Sequence, residues 1–229
     1  MTIGPYKLID LSIELDAANF KMRTYAGFKK DMQFELETIK EYPGGLQQIV
    51  RGVHMRLHAG SHVDAPSHML EGAPDIHQMP LDSFMGPAIV ADIRHRGAGE
   101  EITVEDLDRA VGDRFRKNDR LLLRTDQNTV YDGSPEWMAR APYLGHDGAD
   151  WCIEKGVSIL GYDFYHGGMP KNSDKPYYAR KLSANNIMTM PYLTNLGAVG
   201  DERFTLVSLP LKMIGVEASP IRAVALLAA

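Results

Sequence analysis

Residues 58 to 69 read His58-Ala59-Gly60-Ser61-His62-Val63-Asp64-Ala65-Pro66-Ser67-His68-Met69, so three imidazoles and a carboxylate fall within eleven positions. With His54 added, four of the chain's eight histidines occupy a fifteen-residue window, where even scatter would place about 0.5. Histidine and aspartate bind borderline metals and move protons near neutral pH. Two imidazoles and a carboxylate, those of His58, His62 and Asp64, provide three ligands for Zn²⁺ or Mn²⁺ and leave positions for water and substrate. A cation so held lowers the pKa of water from about 15.7 toward about 7. His68, nearby and not itself a ligand, could then shuttle a proton to the leaving group. That set suits hydrolytic attack on an amide, ester or lactone carbonyl, with hydration and dehydration as neighbouring chemistries. The spacing H-x-x-x-H-x-D also permits a hydrogen-bonded histidine loop without metal, and it does not choose between the two.

The elements around the cluster follow from patterning. Gln48 to Leu57 alternates in the manner of a strand and leads to His58. Gly60 and Pro66 oppose a regular helix, so the histidines are expected on a tight turn after that strand. Further strands are expected over Tyr6–Ile13, Ala88–Ile93, Arg120–Thr125, Val157–Asp163, Phe204–Leu211 and Ile221–Ala228, the last two separated by a turn around Gly215 to Pro220. Thr103 caps a helix running to about Val111 and stopped by Gly112. Ser134-Pro135 opens a short helix, and Asp147–Lys155 forms another that ends at Gly156. Strand, helix and strand in succession imply an α/β fold with some parallel pairing. One domain over residues 1–229 is expected, since no repeat, linker or low-complexity tract interrupts the chain.

Outside the cluster, His54 reads as a structural neighbour, and His77, His95 and His146 as solvated surface residues. Asp163 and His166 open a loop, over residues 166–179, that follows a strand, where site residues often sit. Between residues 17 and 32, Phe20, Met22, Tyr25, Phe28 and Met32 lack a clean period. They form either an arm packed on its own core or a flap that supplies Phe20, Tyr25 and Phe28 as aromatic walls to a substrate pocket.

Composition excludes several classes. Apolar residues at 44% and charged residues at 24% are ordinary globular values. A net charge of -5, with no basic run, argues against a nucleic-acid partner. No eighteen-residue apolar window exists to span a membrane, and Met1 to Glu14 lacks the apolar core of a signal peptide. Cys152, the one cysteine, cannot form an internal disulfide. A cytoplasmic protein acting on a small molecule is the expectation.

The stretch resembles the pattern H-x-G-[ST]-H-x-D-x-P-x-H of the cyclase-type metal-dependent hydrolase family, which includes bacterial kynurenine formamidase and isatin hydrolase. His58, Gly60, Ser61, His62, Asp64, Pro66 and His68 match it position by position. The similarity extends to Asp10-Leu11-Ser12, Gly161-Tyr162-Asp163, Leu193-Thr194-Asn195-Leu196, Leu209-Pro210-Leu211 and Ser219-Pro220-Ile221-Arg222-Ala223. The resemblance implies a compact α/β fold with mixed β-sheets flanked by helices, a homodimer or homotetramer, one divalent metal ion held by His58, His62 and Asp64, and His68 as catalytic acid/base.

The chain also departs from that family. Members that bind a second metal add a His and, twelve residues later, a Glu ahead of the segment matching Leu193 to Leu196; Ala179 and Pro191 stand at those positions. Neither side chain can ligate a metal, so a second site needs substitutes such as Asp163 or His166. Three activities stay open: a mononuclear hydrolase, a cyclase or dehydratase using the metal as Lewis acid, and a relative that only binds a small molecule.

Overall fold

A computed structural model of the chain describes residues 2–18, 34–40, 49–130, 134–165 and 178–228. Phe20, Tyr25, Phe28 and His166, named above as candidate substrate contacts, lie outside them.

Ten strands form one mixed sheet in the order Thr2–Ile3, Tyr6–Asp10, Val224–Ala228, Phe204–Val207, Met85–Asp92, Arg120–Arg124, Ile159–Tyr162, Met188–Met190, His62–Asp64 and Ala218–Pro220. The four strands from Met85–Asp92 to Met188–Met190 run parallel, and the pairings on either side are antiparallel. Parallel neighbours need long crossovers. These carry the helices Val104–Val111, His146–Lys155 and Tyr178–Ser183. The expected α/β class with a mixed sheet is therefore present.

Period-two alternation divides the core into two layers. Ile89, Ala91, Leu121, Leu123, Leu160 and Tyr162 face the helices, meeting Leu107, Trp151 and Leu182. Ala88, Val90, Leu122, Ile159 and Met190 face the opposite way, toward Val63, Leu193 and Ala225. Gly161 sits where these layers are tightest, since a Cβ there would lie 2.5 Å from Leu122 Cδ2.

The expected helix caps are seen. Thr103 and Asp106 form a reciprocal capping box ahead of Val104–Val111. Ser134 Oγ accepts from Trp137 N, and Gly156 ends His146–Lys155 in the left-handed conformation. Asp106 does more than cap: fully buried, it also accepts from His95 Nε2 and Arg96 Nε, each at 2.7 Å. His95 is thus a bonded partner rather than a purely solvated residue. Burial opposes the Asp106 charge, but Arg96, the Thr103 N–H and His95 together hold the carboxyl well below its usual range. Asp106→Asn is expected to cost about 2–3 kcal/mol at pH 7, by weakening the cap and leaving Arg96 poorly paired. Because the folded pKa is depressed, this contribution is complete above the ordinary value of 3.8 and is lost as pH falls through the folded one. Urea unfolding of both proteins at pH 7 and in acid should show the gap narrowing in acid.

Three expectations need correction. His62 and Asp64 lie on a strand of the main sheet, not on a turn; the turn covers residues 57–61, and His58 is on it. The turn expected around Gly215 to Pro220 is present at Ile214 and Gly215, but its later part is the edge strand Ala218–Pro220, because Ser219 and Pro220 pair with Val63 and His62. The loop expected over residues 166–179 gives way to helix at Tyr178, which places Ala179 in a helix. No helix among the described residues is long and apolar enough to cross a membrane.

Candidate metal centre

His62–Asp64 is a three-residue strand held on both sides, by Thr189 opposite Asp64 and by Ala218 and Pro220 opposite Asp64 and His62. Alternation sends Val63 into the core and leaves His62 and Asp64 on the other face. His58 reaches that face through a turn at Gly60, whose φ of +62° favours glycine and where a Cβ would crowd Leu15 Cδ2 at 2.7 Å. His68 follows in the short helical turn Pro66–His68.

Ser61 ties this segment to the rest of the chain. Its Oγ accepts from Ile13 N at 3.0 Å and donates to Tyr192 O at 2.6 Å, while its carbonyl accepts from Ile221 N at 3.1 Å. The other matched motifs meet behind it. Thr194 N donates to Leu11 O, Ala223 N to Ser12 Oγ, and Arg222 grips the Asp10 carboxylate with two nitrogens. Segments distant in sequence thus serve as the joint that fixes the histidine loop.

The three expected ligands converge. His58 Nδ1 lies 2.8 Å and His62 Nε2 3.3 Å from Asp64 Oδ1. One ligand atom from each of the three lies within 4.8 Å of the others. His62 Nδ1 is bonded to Gly60 O at 2.7 Å, which makes Nδ1 the proton-bearing nitrogen and leaves the Nε2 lone pair facing Asp64. Asp64 Oδ2 accepts from Thr189 Oγ1 at 2.9 Å. Oδ1, in contrast, is buried and receives no properly directed hydrogen bond. A buried carboxylate oxygen facing two imidazole nitrogens without a directed donor is the arrangement a divalent cation completes.

The charges of the cluster are coupled. Burial opposes ionisation of Asp64, yet His62 and His58 hold its carboxyl well below the usual range. Burial also disfavours the His58 cation, but Asp64 and Glu217 together push its pKa up to about 9. His68 has the opposite fate: although its side chain reaches solvent, desolvation lowers its pKa below 6.5, with His58 and His62 adding to the effect. Its ring centroid lies 4.3 Å from that of His58. Desolvation thus favours its neutral form, in a ring placed beside the cluster.

Ala179 is buried against the helical layer, and Pro191 is buried directly after Met188–Met190. Asp163 is buried and occupied elsewhere: it accepts from Thr125 N and Oγ1 and from Asp126 N, and burial pushes its carboxyl up to about 6. It fastens the ends of two parallel strands and is not among the described groups that converge on Asp64.

Three residues near the cluster were not apparent from the sequence. Thr189 reaches Asp64 from the neighbouring strand. Tyr192, at a φ of +60°, places its ring 5.8 Å from His62 and 6.2 Å from Trp137, offering an aromatic wall built from the fold's interior. Glu217 Oε1 stands 2.9 Å from His58 Nε2. Only Glu217 had a signal, an acid beside the matched Ser219-Pro220 motif.

The chain is similar to several known proteins. The Cyclase family model matches residues 9–166. A kynurenine formamidase of Bordetella petrii is 31% identical over 181 residues, 76% of this chain and 79% of that protein. One from Bacillus anthracis is 28% identical over 95% of this chain and 96% of its own length. Among solved structures, isatin hydrolase A from Labrenzia aggregata, bound to benzyl benzoate, superposes with a TM-score of 0.86 at 22% identity, covering 98% of this chain and 95% of its own.

Proposed function

This chain belongs to the Cyclase family, and on that premise we propose that it is a metal-dependent hydrolase acting on an amide C–N bond of a small cyclic or aromatic substrate. One divalent ion, Mn²⁺ or Zn²⁺, is held by His58, His62 and Asp64, and His68 is the acid/base. The observation that carries this reading is the convergence of two imidazoles on the undonated Oδ1 of Asp64. The relatives' names, a formamidase and an isatin hydrolase, favour amides over other carbonyl compounds. Family membership also supports a homodimer or homotetramer.

A cation bound there acidifies water and polarises a carbonyl. The chain's own residues supply the rest. Gly60 O fixes the tautomer of His62, so that Nε2 presents a lone pair. Thr189 holds the Asp64 carboxylate in the plane that aims Oδ1 at the imidazoles. His68, neutral at pH 7, takes a proton at a ring nitrogen as the nucleophile adds and returns it to the departing amine nitrogen. Tyr192 offers a ring face beside His62 for a planar substrate.

One ion is the stoichiometry proposed, with Asp64 Oδ1 turned to the imidazoles while Oδ2 accepts from Thr189. Ala179 and Pro191 provide no donor where the relatives with two metals have theirs, so a second ion does not fit there. Thr189→Val should lower metal affinity by about tenfold to a hundredfold, the usual cost of losing a group that orients a ligand; competition against a chelator would measure it.

The activity is tested by incubating metal-reloaded protein with N-formyl anilines, cyclic imides, lactones and β-hydroxy carbonyl compounds. Product mass decides the outcome. Gain of one water on the amides supports hydrolysis, loss of one water indicates a dehydratase, and no product with measurable binding indicates a binding protein.

A further inference from the structure

We propose that Glu217 is a positioning residue for His58, fixing which imidazole nitrogen faces the metal and so setting the affinity of the centre. This rests on the reading that His58, His62 and Asp64 bind one ion. His58 has a carboxylate at each nitrogen: Asp64 Oδ1 lies 2.8 Å from Nδ1 and Glu217 Oε1 lies 2.9 Å from Nε2. The two are not equivalent. Asp64 is itself an expected ligand and faces His62 as well, so the nitrogen on its side is the one available to a cation. The nitrogen facing Glu217 then carries the proton. A carboxylate accepting the second N–H of a ligating imidazole sets its tautomer and ring plane and raises its basicity.

Glu217 is fixed to the same framework as the ligands. Its carbonyl accepts from Ala65 N at 2.8 Å, and the next residue, Ala218, pairs with Asp64 across the sheet. The register that places Asp64 therefore also places the carboxylate behind His58. His62 obtains the same service from a backbone carbonyl, Gly60 O. His58 finds its partner 159 residues away in the chain.

Glu217 also groups with His58 and His68 in a set of possible ligand atoms. Such a set would compete with the role proposed here for the same nitrogen of His58, because Nε2 cannot both donate to Glu217 and ligate a second ion. Counting ions separates the two.

The test titrates chelator-stripped wild type, Glu217→Ala and Glu217→Gln with Zn²⁺ and Mn²⁺ against a competing chelator. Cobalt-substituted visible spectra of each protein complete it. Wild type should bind one ion per chain. Glu217→Ala should bind one ion about tenfold to a hundredfold more weakly, with altered cobalt bands. Glu217→Gln, which keeps an acceptor oxygen, should recover most of the affinity and the wild-type bands. Stripped proteins should melt within a few degrees of each other, because the ion pair is partly exposed. Equal affinity and spectra in wild type and Glu217→Ala would overturn this proposal and leave the metal centre standing. Two ions in wild type and one in Glu217→Ala would overturn it in favour of a second cation site. A wild type that binds no ion would overturn it together with the reading beneath it.

Discussion

Asp64→Ala is expected to abolish metal binding and, with it, turnover. The carboxylate is the one anionic member of the three-residue set, and its Oδ1 is the atom on which both imidazoles converge. Zinc centres bind with about 10–16 kcal/mol shared among their ligands, so losing one should weaken affinity by at least about a hundredfold to a thousandfold. The variant also removes the acceptor for Thr189 Oγ1 and the counter-charge of His58. Some loss of stability is therefore built in. Asp64→Asn separates that cost from ligation, since it keeps the shape and an oxygen for Thr189 while lacking the charge. Both variants should keep the circular dichroism of the wild type yet fail to retain zinc or manganese through a desalting step. Retention of a full equivalent by Asp64→Asn, with wild-type activity, would contradict the assignment.

His68→Ala should behave in the opposite way toward metal. Its ring neighbours His58 but is outside the three-residue set on Asp64, so the variant should carry the same ion content while kcat falls by about 10²–10⁴, the range for losing a general acid/base. The pH profile gives a second readout. Desolvation lowers the His68 pKa, so the neutral base should predominate above a pH somewhat below 6.5, and wild-type kcat/KM should rise through an acid limb there. Residual activity of His68→Ala should lack that limb. Loss of metal and activity together would instead make His68 a ligand.

What could be read in advance divides along chain distance. His58, His62, Asp64 and His68 lie within eleven consecutive residues, so residue type and spacing alone bring them together. The helix over Val104–Val111 and the buried strand Arg120–Arg124 were legible for the same reason, because caps and apolar runs are local signals. Thr189 and Glu217 were not legible. They reach Asp64 and His58 across 125 and 159 residues of chain, through a register that exists only once Met188–Met190 and Ala218–Pro220 flank His62–Asp64. The edge strand Ala218–Pro220 was hidden by its own composition, since Gly215, Ser219 and Pro220 suggest a turn. Pro220 is tolerated there because an edge position does not require its missing N–H. His62 and Asp64 were placed on a turn for a related reason: a three-residue strand is too short to show alternation.

Ala179 and Pro191, which stand where the resembled family has its second-metal ligands, are buried side chains that offer no donor atom. Asp64 turns Oδ1 toward the imidazoles and Oδ2 toward the Thr189 hydroxyl of the adjacent strand.

The most direct measurement is a calorimetric titration of chelator-stripped protein with Zn²⁺ and, separately, Mn²⁺, with metal content of the reloaded protein confirmed by elemental analysis. One ion per chain in wild type, reduced to none in Asp64→Asn, is the expected result. No bound ion after reconstitution, or two ions of comparable affinity, would contradict the account.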